Sequence, residues 1–218
     1  MTKRSIYIAG PFNTGTNLVN KIISKCNCID LIKNQPLTLN ETQPFHKHTV
    51  NMQEIEKYLE NPNNLLIIMY KNPYNWLYSI KKAPYDIKYT KMFLPVTLYG
   101  KTFPNMLELY NFYYINYMSI LKRHSNCIFL DYGKIIDKNT SYDYFNNKLS
   151  KIYLSINSKD NFHTTLNAPA KNHGSSVNNV NEAYAQYLNI QNMVKQFVQK
   201  LPNFRKSIKP ILINYHQI

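Results

Sequence analysis

The sequence predicts an α/β fold: a single domain over residues 1–218, with a central, mostly parallel sheet flanked by helices. Three observations predict it. A β-rich run at 5–9 passes into a loop bounded by Gly10 and Gly15 and then into a helical pattern at 16–25. The run LLIIMY at 65–70 is apolar throughout, as a strand covered on both faces must be, and a helix start follows it at once. NCIFLDY at 126–132 repeats the buried-strand pattern. Recurring strand–loop–helix units imply crossover connections, and therefore parallel strands.

Taken in order, the helix at 16–25 places Leu18, Val19, Ile22 and Ile23 on one face. Residues 29–32 read as a short strand, 37–44 as loop and 45–50 as a short extended piece. A surface helix is expected over 52–60, stopped by Asn61-Pro62. After the strand at 65–70, Asn72 is a good N-cap and Pro73 suits the first helical position. Trp76, Leu77 and Ile80 then form the buried stripe. Residues 83–104 carry three prolines and scattered aromatics and read as an irregular lid or acceptor loop. A long aromatic helix is expected over 105–123, and further helices over 141–154 and 181–201.

Composition narrows the classes. Hydrophobic residues at 44% fit a globular chain and argue against a disordered one. The formal net charge of +14 predicts a surface that attracts polyanions. Tyr, Asn, Lys and Ile are all abundant and all have A/T-rich codons. Part of the charge is then codon bias, and an A/T-rich genome of origin, that of a protist or a large DNA virus, is expected. No helix-turn-helix, RNA-recognition or zinc-finger pattern is present, so nucleic acid is not the expected partner. Three cysteines, an odd number, argue against a disulfide framework. Cys26 and Cys28 with His46 and His48 could be four zinc ligands, but C-x-C and H-x-H are not the usual spacings. MTKRSIYIAG has no apolar signal region, and no apolar run reaches the ~18 residues of a membrane span. A soluble, cytoplasmic protein is expected.

In sheets of this kind ligands bind beyond the carboxyl ends of the strands. Three segments fall at such ends: the loop 10–17, HKHT at 46–49 and YKNPYNWLYS at 70–79. GPFNTGTN keeps the glycine separation of the Walker A loop, G-x-x-x-x-G-K-S/T, but Thr16 and Asn17 stand where the lysine and hydroxyl would be. The strand–loop–helix context still presents backbone N–H groups and a helix N-terminus to an anion.

These residues resemble the superfamily of sulfotransferases that use 3′-phosphoadenosine 5′-phosphosulfate (PAPS). NTGTN, Asn13 to Asn17, stands in the place of the family's 5′-phosphosulfate loop, K-S/A-G-T-T. KNPYNWLYS, Lys71 to Ser79, matches the 3′-phosphate motif R-D/N-P-x-D/N-x-x-x-S with the same spacing between cation and serine. HKH, His46 to His48, occupies the position of the K-T/S-H segment that carries the catalytic base. LDYGK places Tyr132 where the family has an adenine-side tyrosine, and KNHG, Lys171 to Gly174, is similar to the terminal R-K-G loop. The resemblance runs from about residue 6 to 132 and is faint beyond.

It implies the P-loop NTPase-like sulfotransferase architecture and sulfuryl transfer from PAPS, with PAP as product and no metal. The acceptor would be a hydroxyl or amine on a small molecule or carbohydrate. Asn13, Thr14, Gly15, Thr16, Asn17, Lys71, Ser79, Tyr132, Lys171 and Gly174 would bind the cofactor. His48 would be the base, Lys47 would steady the transferred group, and His46 is the competing base. Asn13 replaces the family's loop lysine, Lys71 its arginine, and Gly133 an acid; Lys47 or Lys171 would have to supply the missing loop cation. Two other readings stay open: a sulfotransferase-like polyanion-binding protein without full activity, and a degenerate P-loop nucleotide kinase with Asp131 as the magnesium ligand.

Overall fold

The β-branched and aromatic run Ile6-Tyr7-Ile8, with no glycine or proline, makes Ser5–Ala9 the first strand, β1. The computed structural model describes residues 4–39, 43–91, 94–137 and 139–168. The sequence-predicted helix at 181–201 lies outside them. The described residues fall into two compact units, one within Met1–Lys71 and Ile115–Lys171, the other within Asn72–Tyr114.

In the first unit, β1 leads through the glycine loop to helix α1, Thr16–Lys25. Three short strands follow: β2, Cys28–Asp30; β3, Gln35–Pro36; and β4, Thr38–Leu39. Helix α2, Met52–Leu59, precedes the long strand β5, Asn64–Tyr70. In the second unit, α3, Pro73–Lys82, is followed by strands β6, Val96–Leu98, and β7, Lys101–Phe103. Helix α4, Met106–Arg123, runs from the second unit into the first. The first unit ends with β8, Cys127–Asp131; α5, Tyr132–Ile135; α6, Ser141–Ser150; β9, Leu154–Ile156; and α7, Lys159–Asn167.

The main sheet is parallel, in the order β4-β1-β5-β8. Tyr7 pairs with Leu66, and Leu66 with Cys127. Period-two alternation then sorts the side chains. Ile6, Ile8, Leu65, Ile67, Met69, Ile128 and Leu130 form one core with Val19, Ile22 and Ile23 of α1, Phe145 and Leu149 of α6 and Phe162 of α7. The other face carries Tyr7 against Phe45 and Tyr58, and Phe129 against Tyr117. Helices therefore cover both faces, which is why these strands are apolar throughout. The chain leaves β1 for β4 on one side and then returns past β1 to β5. The strand order reverses at β1, and its carboxyl end is where such sheets bind ligands.

Several expectations are corrected. The strand foreseen at 29–32 ends at Asp30 and pairs antiparallel with β3 and β9 in a second, three-stranded sheet. The loop foreseen at 37–44 contributes β4 to the main sheet. Residues 45–50 form turns rather than an extended piece, closed by Thr49 N–H donating to His46 O. The helix foreseen over 141–154 stops at Ser150, and Leu154 starts β9 instead. The irregular stretch at 83–104 holds the β6–β7 hairpin, turned by Tyr99 and Gly100, both at positive φ.

Candidate functional site

The loop after β1 is shaped by close approach. A Cβ on Gly10 would lie 2.9 Å from the Met69 Cβ, so only glycine lets the chain pass this close to β5. The Thr14 hydroxyl, fully buried, donates to Pro11 O at 2.6 Å and holds the turn. Asn13 sits in the left-handed region at φ 61, where asparagine is among the few tolerated side chains. Gly15 follows at φ 90, and a Cβ there would come within 2.5 Å of Tyr132 Cδ2. Helix α1 then starts without a side-chain cap and without an acid in its first turn. Its first N–H groups have no intrahelical acceptors, and the dipole adds positive potential there.

The HKH segment is laid across this loop. Gly10 N–H donates to Lys47 O at 2.9 Å, and the Tyr7 hydroxyl holds Phe45 O at 2.7 Å. His48 Nδ1 lies 2.6 Å from Gly10 O. A carbonyl can only accept, so Nδ1 carries the hydrogen, and in the neutral ring Nε2 keeps the lone pair. His46 is arranged oppositely: its Nδ1 accepts from His48 N–H at 3.3 Å, which leaves the hydrogen of its neutral ring on Nε2. Phe12 packs on the His48 ring at 4.0 Å between centroids. Burial, above all, pushes the His48 pKa down to about 3; the charges of Lys47 and His46 act the same way, against the Gly10 carbonyl. His48 is neutral at pH 7.

Two lysines reach the same loop. Lys47 Nζ donates to Asn17 Oδ1 at 2.6 Å, and burial lowers its pKa. Lys71, from the end of β5, donates to Asn13 O at 3.0 Å and lies 4.6 Å above the Tyr132 ring. Burial pushes the Lys71 pKa down to about 8. Tyr132 itself is set by the turn out of β8, where Asp131 accepts Gly133 N–H at 2.8 Å and caps α5.

Of the expected residues, the structure gathers Asn13, Thr14, Gly15, Thr16, Asn17, His46, Lys47, His48, Lys71 and Tyr132 at the carboxyl ends of β1, β5 and β8. Ser79 lies on α3 in the second unit, where its hydroxyl donates to Asn75 O at 2.9 Å. Lys171 and Gly174 lie outside the described residues. The loop 10–17 is expected at the site, yet the sequence does not show that the Gly10 carbonyl orients His48 or that Phe12 backs its ring. No local sequence pattern marks either contact, since each joins residues 36 or more apart in the chain, as with the 38 residues between Gly10 and His48.

The zinc arrangement is not formed. Cys26 and Cys28 are buried in the core, with burial raising the Cys28 thiol to about 12. Among the described residues no group of three or more His, Cys, Asp or Glu is placed to hold a metal. No described helix is long and apolar enough to cross a membrane. The second unit carries an open cleft of about 610 Å3 lined by Pro84, Ile87, Lys88, Tyr89, Thr90 and Pro95, none of them among the expected site residues. Compared with family models, with curated proteins and with solved structures, the chain matches none.

Proposed function

We propose that the chain is a PAPS-dependent sulfotransferase with the P-loop-like architecture of that superfamily. The observation that carries the reading is the bond from His48 Nδ1–H to Gly10 O, which fixes a neutral imidazole against the anion loop with Nε2 unprotonated. A base and a phosphate loop locked together suit a transfer in which the acceptor must lose a proton beside a phosphate leaving group. The residues fit the donor in two ways: the N-terminus of α1 has no side-chain cap or first-turn acid, and two lysines contact the loop.

PAPS supplies the sulfuryl group, and PAP leaves. His48 Nε2 takes the proton of an acceptor hydroxyl or amine as its oxygen or nitrogen bonds to sulfur. The N–H groups of Thr14 to Asn17 hold the 5′-phosphate and the charge that develops on the oxygen leaving sulfur. Lys47, at Asn17, steadies the transferred group. The acceptor class, a small molecule or carbohydrate, rests on the motif resemblance alone. A nucleotide-kinase reading would need magnesium at Asp131, and that carboxylate is already engaged as the α5 cap.

PAP should raise the Tm more than AMP does, without magnesium, and more than ATP with magnesium. Label from PAPS should reach a member of a panel of phenols, alcohols, amines and sugars, and His48→Ala should abolish that transfer. An equal response to ATP and PAP, or full transfer by the His48→Ala variant, overturns the reading.

A further inference from the structure

We infer that Lys71 is the cation of the phosphate loop itself: it contacts the 5′-phosphate end of the ligand and replaces the lysine that the loop lacks at Asn13. This rests on reading the loop as an anion site, and it gives Lys71 a different place from the 3′-phosphate that motif spacing assigns it. The geometry points there. Position 13 is held at φ 61 with its carbonyl turned to Lys71 Nζ at 3.0 Å. A lysine side chain starting at residue 13 is therefore not the only route to this spot; the ammonium arrives from the end of the neighbouring strand. β1 and β5 are paired in register, Ala9 with Ile68, so Lys71 leaves the sheet beside the start of the loop.

Tyr132 completes the arrangement. Its ring lies 4.6 Å below Nζ and so close to Gly15 that a Cβ there would meet Cδ2 at 2.5 Å. Loop, lysine and ring form one stack: Gly15 against the Tyr132 edge, Lys71 on the Tyr132 face, and the Asn13 carbonyl on Lys71. A cation held by a ring face and a carbonyl keeps its place before the anion arrives, so less side-chain freedom is lost on binding. The low proton affinity that burial gives Lys71 fits the same role, because an anion beside it compensates the desolvation.

The test compares ligands that do and do not carry a 3′-phosphate. Lys71→Met and Lys71→Gln are titrated with inorganic phosphate, AMP and PAP at matched ionic strength, with folding checked by circular dichroism and urea unfolding. Phosphate should stabilise the wild type more than chloride does, and that excess should vanish in both variants. AMP and PAP should lose affinity by the same factor, roughly tenfold to a hundredfold for a charge-assisted contact. Loss confined to PAP, with AMP unchanged, overturns the inference, as does a phosphate effect that is absent from the wild type or retained in the variants. If phosphate and AMP depend on Lys71 but PAP binds no better than AMP, the loop cation stands and the PAPS reading of the site falls.

Discussion

His48 shows how one ring can be defined by its surroundings. Its Nδ1–H is committed to Gly10 O, Phe12 covers its face, and its charged form is disfavoured by burial. The consequence for stability has a definite sign. The folded pKa, about 3, lies below the ordinary 6.5. Between these values the unfolded chain binds a proton that the folded one does not, so stability falls as pH drops from 6.5 towards 3. The slope from this group is up to about 1.4 kcal/mol per pH unit. His48→Asn keeps an N–H where Nδ1 stands and removes the titration. Urea unfolding between pH 4 and 6.5 should show a shallower pH dependence for the variant, and identical slopes would refute the buried neutral imidazole. The residue types of the site were legible in the sequence: glycines at turn positions, histidines and lysines at strand ends. The orientation of each was not. The residue pattern HKH does not distinguish the two rings: the His48 N–H assigns His46, and the carbonyl of Gly10, from a distant loop, assigns His48.

Elements were legible where their signals are local and long enough to repeat. Helix α3 is the clearest case. Asn72 accepts from Tyr74 N–H at 2.9 Å and from Asn75 N–H at 3.5 Å, and Pro73 occupies the first turn. Asn72→Ala should cost about 1 kcal/mol, and Asn72→Ser should restore most of it. Hydrogen exchange at Tyr74 and Asn75 should accelerate in the alanine variant; unchanged protection would show that packing of Trp76 and Leu77, not the cap, holds this end. The missed elements are all short. β4 has two residues and is a strand only because Thr38 and Leu39 pair with Ser5 and Ile6. Leu154 stands five residues past Leu149, off the helical face that Phe145 and Leu149 share, and belongs to β9, where it pairs with Asp30 of β2. In both cases a long-range partner decides what so short a pattern does not.

At the scale of the whole molecule, +14 is the formal net charge of the chain, and the buried pair that joins the two sheets of the first unit, one cation and one anion, adds nothing to it. Arg4, just before β1, donates from Nη1 to Asp30 Oδ1 and from Nη2 to Ile152 O, each at 2.9 Å. The side chains are 8% and 1% exposed, so the pair is a buried one. Asp30 Oδ1 also accepts Ile32 N–H at 3.0 Å where the chain leaves β2, while Oδ2 has no hydrogen-bond partner among the described residues. One guanidinium thus ties the entry of the parallel sheet to the end of β2 and to the segment leading into β9. Burial makes the tie asymmetric: the pair gains little over an apolar replacement, but either partner alone is costly. Arg4→Met should therefore cost about 3–5 kcal/mol, because it strands the Asp30 carboxylate. Adding Asp30→Asn removes that charge while keeping an oxygen for Ile32 N–H, so the double variant should be more stable than Arg4→Met alone. Urea unfolding of the wild type, both single variants and the double variant reads this coupling directly. Strictly additive losses would mean that the two side chains do not hold the sheets together as a buried pair.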